Sequence, residues 1–136
     1  MAYRLFISHP GRRTPEYDSL VRLLNSAPGF SWVNYGAPGT DPAIDPHSGV
    51  VGPAAMKALQ EQIRPVQCVV VIAGMYPEHR DWLRAEMRVA KLEDKHMVGV
   101  RGWGSRWVPP EIASEVDEVA AWDWQWVVTA IDRWSW

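Results

Sequence analysis

The chain alternates between short apolar segments and segments whose hydrophobic positions recur every three or four residues. The apolar segments predict five strands, over Tyr3–Ser8, Phe30–Tyr35, Gln67–Ala73, Met97–Arg101 and Glu118–Trp122. The third segment is continuously apolar and lacks the alternation of a half-buried strand. That pattern is typical of a central parallel strand that is covered on both faces.

The segments between and after the strands predict helices with one apolar face. Thr14 is a predicted N-cap, Pro15 takes the first helical position, and this helix ends near Asn25. Further helical segments are predicted from Pro53 to about Pro65, from Arg80 to Leu92, as a turn over Glu111–Val116, and after a cap at Asp123. Strand and helix therefore alternate along the whole chain.

This alternation predicts a single doubly wound α/β domain over residues 1–136, with a five-stranded parallel sheet and helices on both faces. Ligands bind such folds at the carboxyl ends of the strands, where strand order reverses. The segments that we expect to meet there are Ser8-His9, Asn34-Tyr35 and Gly74–Tyr76. The irregular segment Gly36–Gly52 is longer than most connections, which is typical of functional or mobile loops.

Composition and charge exclude several classes of function. The net charge of -2 gives no electrostatic basis for binding nucleic acid or an anionic membrane. The longest apolar run, Cys68–Ala73, is too short to span a bilayer, and the N-terminus lacks the pattern of a signal peptide. Cys68 is the only cysteine, so no intramolecular disulfide can form. These features predict a cytoplasmic protein.

Several familiar ligand motifs are absent from the sequence. Response-regulator domains need an acidic pair after the first strand and an aspartate after the third, where this chain has Ser8-His9 and Ala73-Gly74. The segment Ser8–Thr14 is a poor phosphate loop because Pro10 lacks an amide donor. No GxGxxG or Walker sequence occurs, and the four histidines lack metal-site spacing. We therefore expect neither a metal nor a bound cofactor.

Glu86 is the most unusual polar position in the predicted helices. The residues three and four positions away are apolar: Trp82, Leu83, Val89 and Ala90. A glutamate in this setting has a buried partner, lies at the edge of a cleft, or performs chemistry. A solvated or ion-paired surface residue is the alternative.

Five fragments, in this order and spacing, resemble the TIR-like family that contains the NAD-processing component of Thoeris anti-phage defence systems. They are Phe6–His9, Trp32–Tyr35, Val70–Tyr76, Trp82 followed four positions later by Glu86, and Gly99–Gly104. The resemblance extends from Phe6 to about Ile131. It implies a flavodoxin-like fold and an enzyme that cleaves the nicotinamide–ribose bond of NAD. It also implies that an ADP-ribose-derived product, cyclic or not, activates a separate effector.

The resemblance assigns the catalytic role to Glu86, since TIR enzymes carry the pattern W-C-x-x-E. Leu83 replaces the cysteine of that pattern in this chain. A carboxylate near the ribose can stabilise its oxocarbenium-like transition state. The nicotinamide ring is already cationic in NAD and leaves as neutral nicotinamide, so no general acid is required. NAD is then a substrate and no cofactor is needed.

Four other residues are candidate substrate contacts, each with a structural alternative. Trp82 could stack on a base or pack in the core, and Ser8 and His9 could bind ribose or phosphate or stabilise their loop. Tyr35 could line the cleft or pack under the long segment. Beyond these four, Arg12 and Arg13 could attract the pyrophosphate, although surface arginines are more often solvated.

The nine tryptophans leave a second function open. Five of them lie in residues 122–136, where we expect core and interface roles. A non-catalytic TIR-like module that assembles through tryptophans such as Trp134 and Trp136 is therefore the alternative, and a homo-oligomer fits either function. A flavin carrier is a third reading. The sequence does not choose among free ADP-ribose, a cyclised isomer and a conjugate as product.

Overall fold

The computed structural model describes residues 2–8, 14–36, 52–102, 104, 105 and 107–135, with the backbone alone at residues 75 and 77–79. The strands are β1 (Tyr3–Ile7), β2 (Trp32–Asn34), β3 (Cys68–Ile72), β4 (His96–Val100) and β5 (Glu118–Ala120). They form one sheet in the order β2-β1-β3-β4-β5, and every pair is parallel. This confirms the doubly wound five-stranded sheet.

The helices are α1 (Pro15–Asn25), α2 (Pro53–Ile63), α3 (Tyr76–Leu92), α4 (Pro110–Glu115) and α5 (Trp124–Trp134). Right-handed connections place α2, α3 and α4 on one face of the sheet and α1 and α5 on the other. The contacts agree, since α1 packs beside α5 and α2 packs beside α3. No helix in the described ranges has the length and apolarity that crossing a membrane requires.

Two helices begin at the caps that the sequence predicts. The Thr14 side chain accepts a hydrogen bond from the Tyr17 N–H at 3.1 Å, at the start of α1. The Asp123 side chain accepts one from the Gln125 N–H at 2.9 Å, at the start of α5. Each cap satisfies one of the amides that a helix leaves without an internal partner.

Helix α3 begins four residues before its predicted start at Arg80. A short 3-10 helix (Ala73–Met75) follows β3 directly and continues into α3 at Tyr76, where the sequence suggested a loop. Pro77 is compatible with this because a proline in the first helical turn removes an amide that has no acceptor. Glu86 is therefore ten residues into α3, about 15 Å along its axis, instead of in its first two turns.

The predicted strand boundaries were wrong by one or two residues. β2 and β5 are three residues long, and β4 begins at His96 instead of Met97. β3 is fully buried along its length, as its unbroken apolar sequence predicts. Most of the long segment Gly36–Gly52 lies outside the described residues, as do the turn residues Asp41, Asp45 and His47.

Gly36, just beyond β2, is a position where the fold requires glycine. A Cβ atom added there would lie 2.4 Å from two ring carbons of Phe6, which is itself fully buried. We expect Gly36→Ala to lower the free energy of unfolding by about 1–3 kcal/mol, the usual cost of overpacking a core. Urea unfolding measures this loss. Gly52→Ala is the control because an added Cβ there meets nothing within 4 Å, and equal losses in both variants would refute the clash.

Candidate active site at the carboxyl edge of the sheet

Strand order reverses between β1 and β3, so the carboxyl ends of these strands form the predicted binding edge. Glycines follow three strands at this edge: Gly36 after β2, Gly74 after β3 and Gly102 after β4. A Cβ on Gly74 would lie 3.9 Å from the Gly102 Cα, so the segments after β3 and β4 approach closely. The edge therefore presents main chain, and the amides that begin the 3-10 helix and α3 lie beside it.

The strand register shows which face of the sheet each polar residue occupies. Val71 pairs with Gly99, and a Cβ on Gly99 would lie 3.5 Å from Ile112 of α4. These positions therefore face the layer formed by α2, α3 and α4. Ile7 pairs with Val70, so the next residue, Ser8, lies beside Val71 on this same face.

Tyr35 shares that face with Ser8. Arg4 of β1 pairs with Val33 of β2, so their side chains lie on the same face. Side chains alternate between faces along a strand, so Ser8, four residues after Arg4, and Tyr35, two residues after Val33, also lie on that face. Ser8, Tyr35 and the α3 side chains that pack on the sheet are therefore on one side of the sheet. Tyr35 is 37% exposed, and its backbone N–H donates to the Leu5 carbonyl at 2.9 Å.

Ser8 is fully buried and connects β1 to the end of β3. Its Oγ accepts a hydrogen bond from the Ile72 N–H at 2.8 Å, and its own N–H donates to the Val70 carbonyl at 2.8 Å. The hydroxyl thus replaces a main-chain acceptor at the point where strand order reverses. The observed role is structural, and a substrate contact by its hydroxyl hydrogen stays a prediction.

Glu86 lies at the centre of the buried face of α3. Its side chain has no exposed surface, and Leu83, Val89 and Ala90 around it are also fully buried. It is the one charged side chain among the buried residues in the described part of the chain. Burial of a carboxylate is costly, so such a position is a candidate for function as well as for a structural ion pair.

Trp82, one helical turn before Glu86, is 4% exposed and belongs to the core. Its packing role is thus observed, and stacking on a substrate ring stays a prediction. The other predicted contacts, His9, Arg12 and Arg13, lie outside the described residues, as does Trp103. Of the five predicted site residues, Ser8, Tyr35, Trp82 and Glu86 can be placed on this side of the sheet.

Two polar residues near this edge were not named as candidate contacts from the sequence. Arg101 follows β4 directly and is half-buried. Tyr76 begins α3 and is 5% exposed, with its hydroxyl close to the Glu111 side chain. Burial raises the pKa of Tyr76, and the negative charge of Glu111 adds to the increase. The signal that identified Ser8, a position at a strand end, applies equally to Arg101. Tyr76 lies in the segment Gly74–Tyr76 that the sequence places at this edge, but nothing in the pattern singles out its hydroxyl.

Neither a metal site nor a thiol nucleophile is supported by the described residues. They contain no group of three or more His, Cys, Asp or Glu side chains that could hold a metal ion. Cys68 is fully buried at the amino end of β3, away from the candidate edge. Burial, helped by the charge of Asp117, raises the pKa of its thiol to about 12.

We expect Cys68 to be unreactive in the native protein. With its pKa at about 12, the thiol stays protonated at pH 8, and the thiolate is the reactive species. A colorimetric thiol reagent should therefore give no signal at pH 8 until denaturant unfolds the chain, after which one thiol should react. Rapid labelling without denaturant would show that Cys68 is accessible and ionised.

The tryptophans near the C-terminus have different roles. Trp134 is half-buried, its Nε1 donates to Glu118 at 3.0 Å, and its ring centroid lies 5.0 Å from that of His96. Trp126 of α5 and Trp107 are 63% and 62% exposed. Trp134 therefore stabilises the fold, Trp136 lies outside the described residues, and Trp126 offers more surface for contacts.

Comparison with known proteins gives this arrangement a family. The family model of the Thoeris protein ThsB, TIR-like domain, matches residues 6–107, a range that contains Ser8, Tyr35, Trp82, Glu86 and Arg101. A solved structure, the CMP N-glycosidase BcmB of Clostridium botulinum, is similar in fold, with a TM-score of 0.50 over 96% of this chain and 98% of that chain at 10% sequence identity. No curated protein sequence matches the chain. This chain belongs to the TIR-like domain family of the Thoeris protein ThsB.

Proposed function

We propose that this protein cleaves the nicotinamide–ribose bond of NAD and releases an ADP-ribose-derived signal that activates a separate effector in anti-phage defence. The observation that carries the proposal is Glu86, a fully buried carboxylate four residues after Trp82, within the segment that matches the ThsB family. The fold supports it in a general way, since the solved structure of similar fold is named as an N-glycosidase. The likeness to that structure is one of fold.

Glu86 stabilises the positive charge that develops on the ribose as the bond to nicotinamide breaks. The bonding electrons leave with the ring nitrogen, which neutralises the pyridinium, so nicotinamide departs without protonation. An oxygen nucleophile then bonds to the ribose carbon and loses its proton. With water the products are ADP-ribose, nicotinamide and H⁺. A carboxylate acts strongly here because burial removes the competing solvent.

The position of Glu86 sets a condition on substrate binding. Because none of its side chain is exposed, the carboxylate can reach the ribose only when the side chains that cover it move on binding. Entry from the carboxyl edge fits the placement of Ser8 and Tyr35 on the same side of the sheet. The activity is then sensitive to oligomer assembly or a trigger that shifts this packing.

A non-catalytic interaction module is the second candidate, and the exposure of Trp126 is the observation that favours it. Large exposed aromatic side chains are enriched in protein interfaces. This alternative expects Trp126→Ala to change the oligomeric state, measured by light scattering, while substitutions at Glu86 leave biological function intact. The catalytic proposal expects function to be lost with Glu86.

The reaction can be tested with purified protein and NAD at protein concentrations high enough for assembly. Chromatography follows nicotinamide, and mass spectrometry identifies the second product. The proposal expects one nicotinamide for each ADP-ribose-derived product. NAD recovered intact, or cleavage at the pyrophosphate with no nicotinamide, would contradict it.

A further inference from the structure

Arg101 is an arginine whose charge is not matched by any residue that the structure describes. It follows β4, and its backbone N–H continues the ladder to the Ala120 carbonyl at 2.9 Å. Within the described part of the chain, its guanidinium makes no hydrogen bond and no ion pair. Arg101 is half-buried, whereas the other described arginines are all exposed. These exposed arginines are Arg4, Arg22, Arg64, Arg80, Arg84, Arg88 and Arg133.

The register places Arg101 on the side of the sheet that carries the candidate site. It lies two residues beyond Gly99, which faces α4, so its side chain leaves the strand on the face shared by Ser8 and Tyr35. The next residue, Gly102, lies close to Gly74. Arg101 therefore stands at the carboxyl edge beside the amides that begin the 3-10 helix.

Electrostatics favours an anion at this position. Arg101 is half-buried, so part of its side chain is shielded from water, and no carboxylate in the described part of the chain pairs with its charge. A phosphate would do so with paired, charge-assisted hydrogen bonds, for which the planar guanidinium is suited.

We propose that Arg101 binds the diphosphate of the substrate and so positions the nicotinamide ribose for Glu86. This inference rests on the proposed cleavage of NAD, in which the diphosphate is joined directly to that ribose. Arg101 fixes the substrate through two charged oxygens, and Glu86 acts on the ribose carbon. Arg101 thus contributes to binding more than to the chemical step.

The arginines of α3 do not serve this role. Arg84 and Arg88 are exposed and lie about 160° around the helix from Glu86, at 3.6 residues per turn. They line outward clefts of about 360 and 490 Å³ between α3 and the neighbouring helices. An anion held there would be separated from Glu86 by α3 itself, which makes Arg88 a suitable control.

Calorimetric titration with ADP-ribose tests the inference independently of catalysis. We expect Arg101→Ala to weaken ADP-ribose binding by about 10- to 100-fold, the effect of losing a hydrogen bond between charged groups. Arg101→Lys should recover part of the affinity, because lysine keeps the positive charge but lacks the paired hydrogen-bond donors of the guanidinium. Arg88→Ala should bind as the wild type does. The melting temperature of each variant shows whether it is folded. If Arg101→Ala does not fold, Arg101→Gln is measured in its place.

The outcomes separate this inference from the proposed function. Unchanged affinity in folded Arg101→Ala and Arg101→Gln, or no binding of ADP-ribose by the wild type, would overturn the inference. Arg101-dependent binding without nicotinamide release would support it and count against NAD cleavage. If NAD is cleaved, Arg101→Ala should raise KM with little change in kcat, and an unchanged KM would overturn the inference while leaving the function in place.

Discussion

Glu86→Gln should lower the rate of nicotinamide release from NAD by about 10³-fold, at the upper end of the effect of removing one preorganised electrostatic group. The amide keeps the shape of the carboxylate and loses its charge. The transition state, which carries positive charge on the ribose, loses more stabilisation than the bound substrate does. The effect should therefore fall on kcat with KM nearly unchanged, as initial rates by chromatography will show.

The matched control for this substitution is Asp81→Asn, which removes an exposed carboxylate from the same helix. It should keep the wild-type rate. Because a fully buried residue is changed in Glu86→Gln, the melting temperature of that variant must accompany the rate. A folded Glu86→Gln protein that releases nicotinamide as fast as Asp81→Asn would remove Glu86 from the mechanism.

Leu83→Ala should lower the free energy of unfolding by about 2–5 kcal/mol, because the truncation removes buried methyl groups and leaves a cavity. Leu83 occupies the position of the cysteine in the W-C-x-x-E pattern, and it is fully buried against the sheet. Its side chain holds α3 in place beside Glu86. Urea unfolding with an unchanged m-value gives the stability difference.

Arg84→Ala, at the adjacent exposed position, is the comparison for Leu83→Ala and should change stability by no more than about 0.5 kcal/mol. A large loss in Leu83→Ala with little change in Arg84→Ala would explain by packing why leucine stands at the cysteine position of the W-C-x-x-E pattern. A loss below about 1 kcal/mol in Leu83→Ala would mean that α3 does not pack as described.

The order and faces of the elements could be predicted from local pattern. The unbroken apolar run of β3 indicated a central strand, and the caps at Thr14 and Asp123 fixed the starts of two helices. The sequence places the start of α3 too late, because a proline such as Pro77 is typical of a loop. A proline is equally compatible with a first helical turn, and the conformation of the preceding residues determines whether it lies in a loop or in a helix.

The burial of Glu86 could be predicted from the sequence, whereas its catalytic role stays a prediction. Its spacing from apolar neighbours indicated burial, which the structure confirms. The hydroxyl of Ser8 accepts a hydrogen bond from the Ile72 N–H of the neighbouring strand. Such a contact depends on the strand register, which the sequence alone does not reveal. Arg101 was missed for a related reason, since its lack of a partner is visible only when neighbouring strands are in place.

The most direct test of the account is a single-turnover experiment with NAD labelled in its nicotinamide ring and protein in excess. Wild-type protein should transfer the label from NAD to free nicotinamide, and folded Glu86→Gln protein should leave it in NAD over the same time. Equal release by the two proteins, or no release by either, would contradict the claim that the buried Glu86 carboxylate drives cleavage of the nicotinamide–ribose bond.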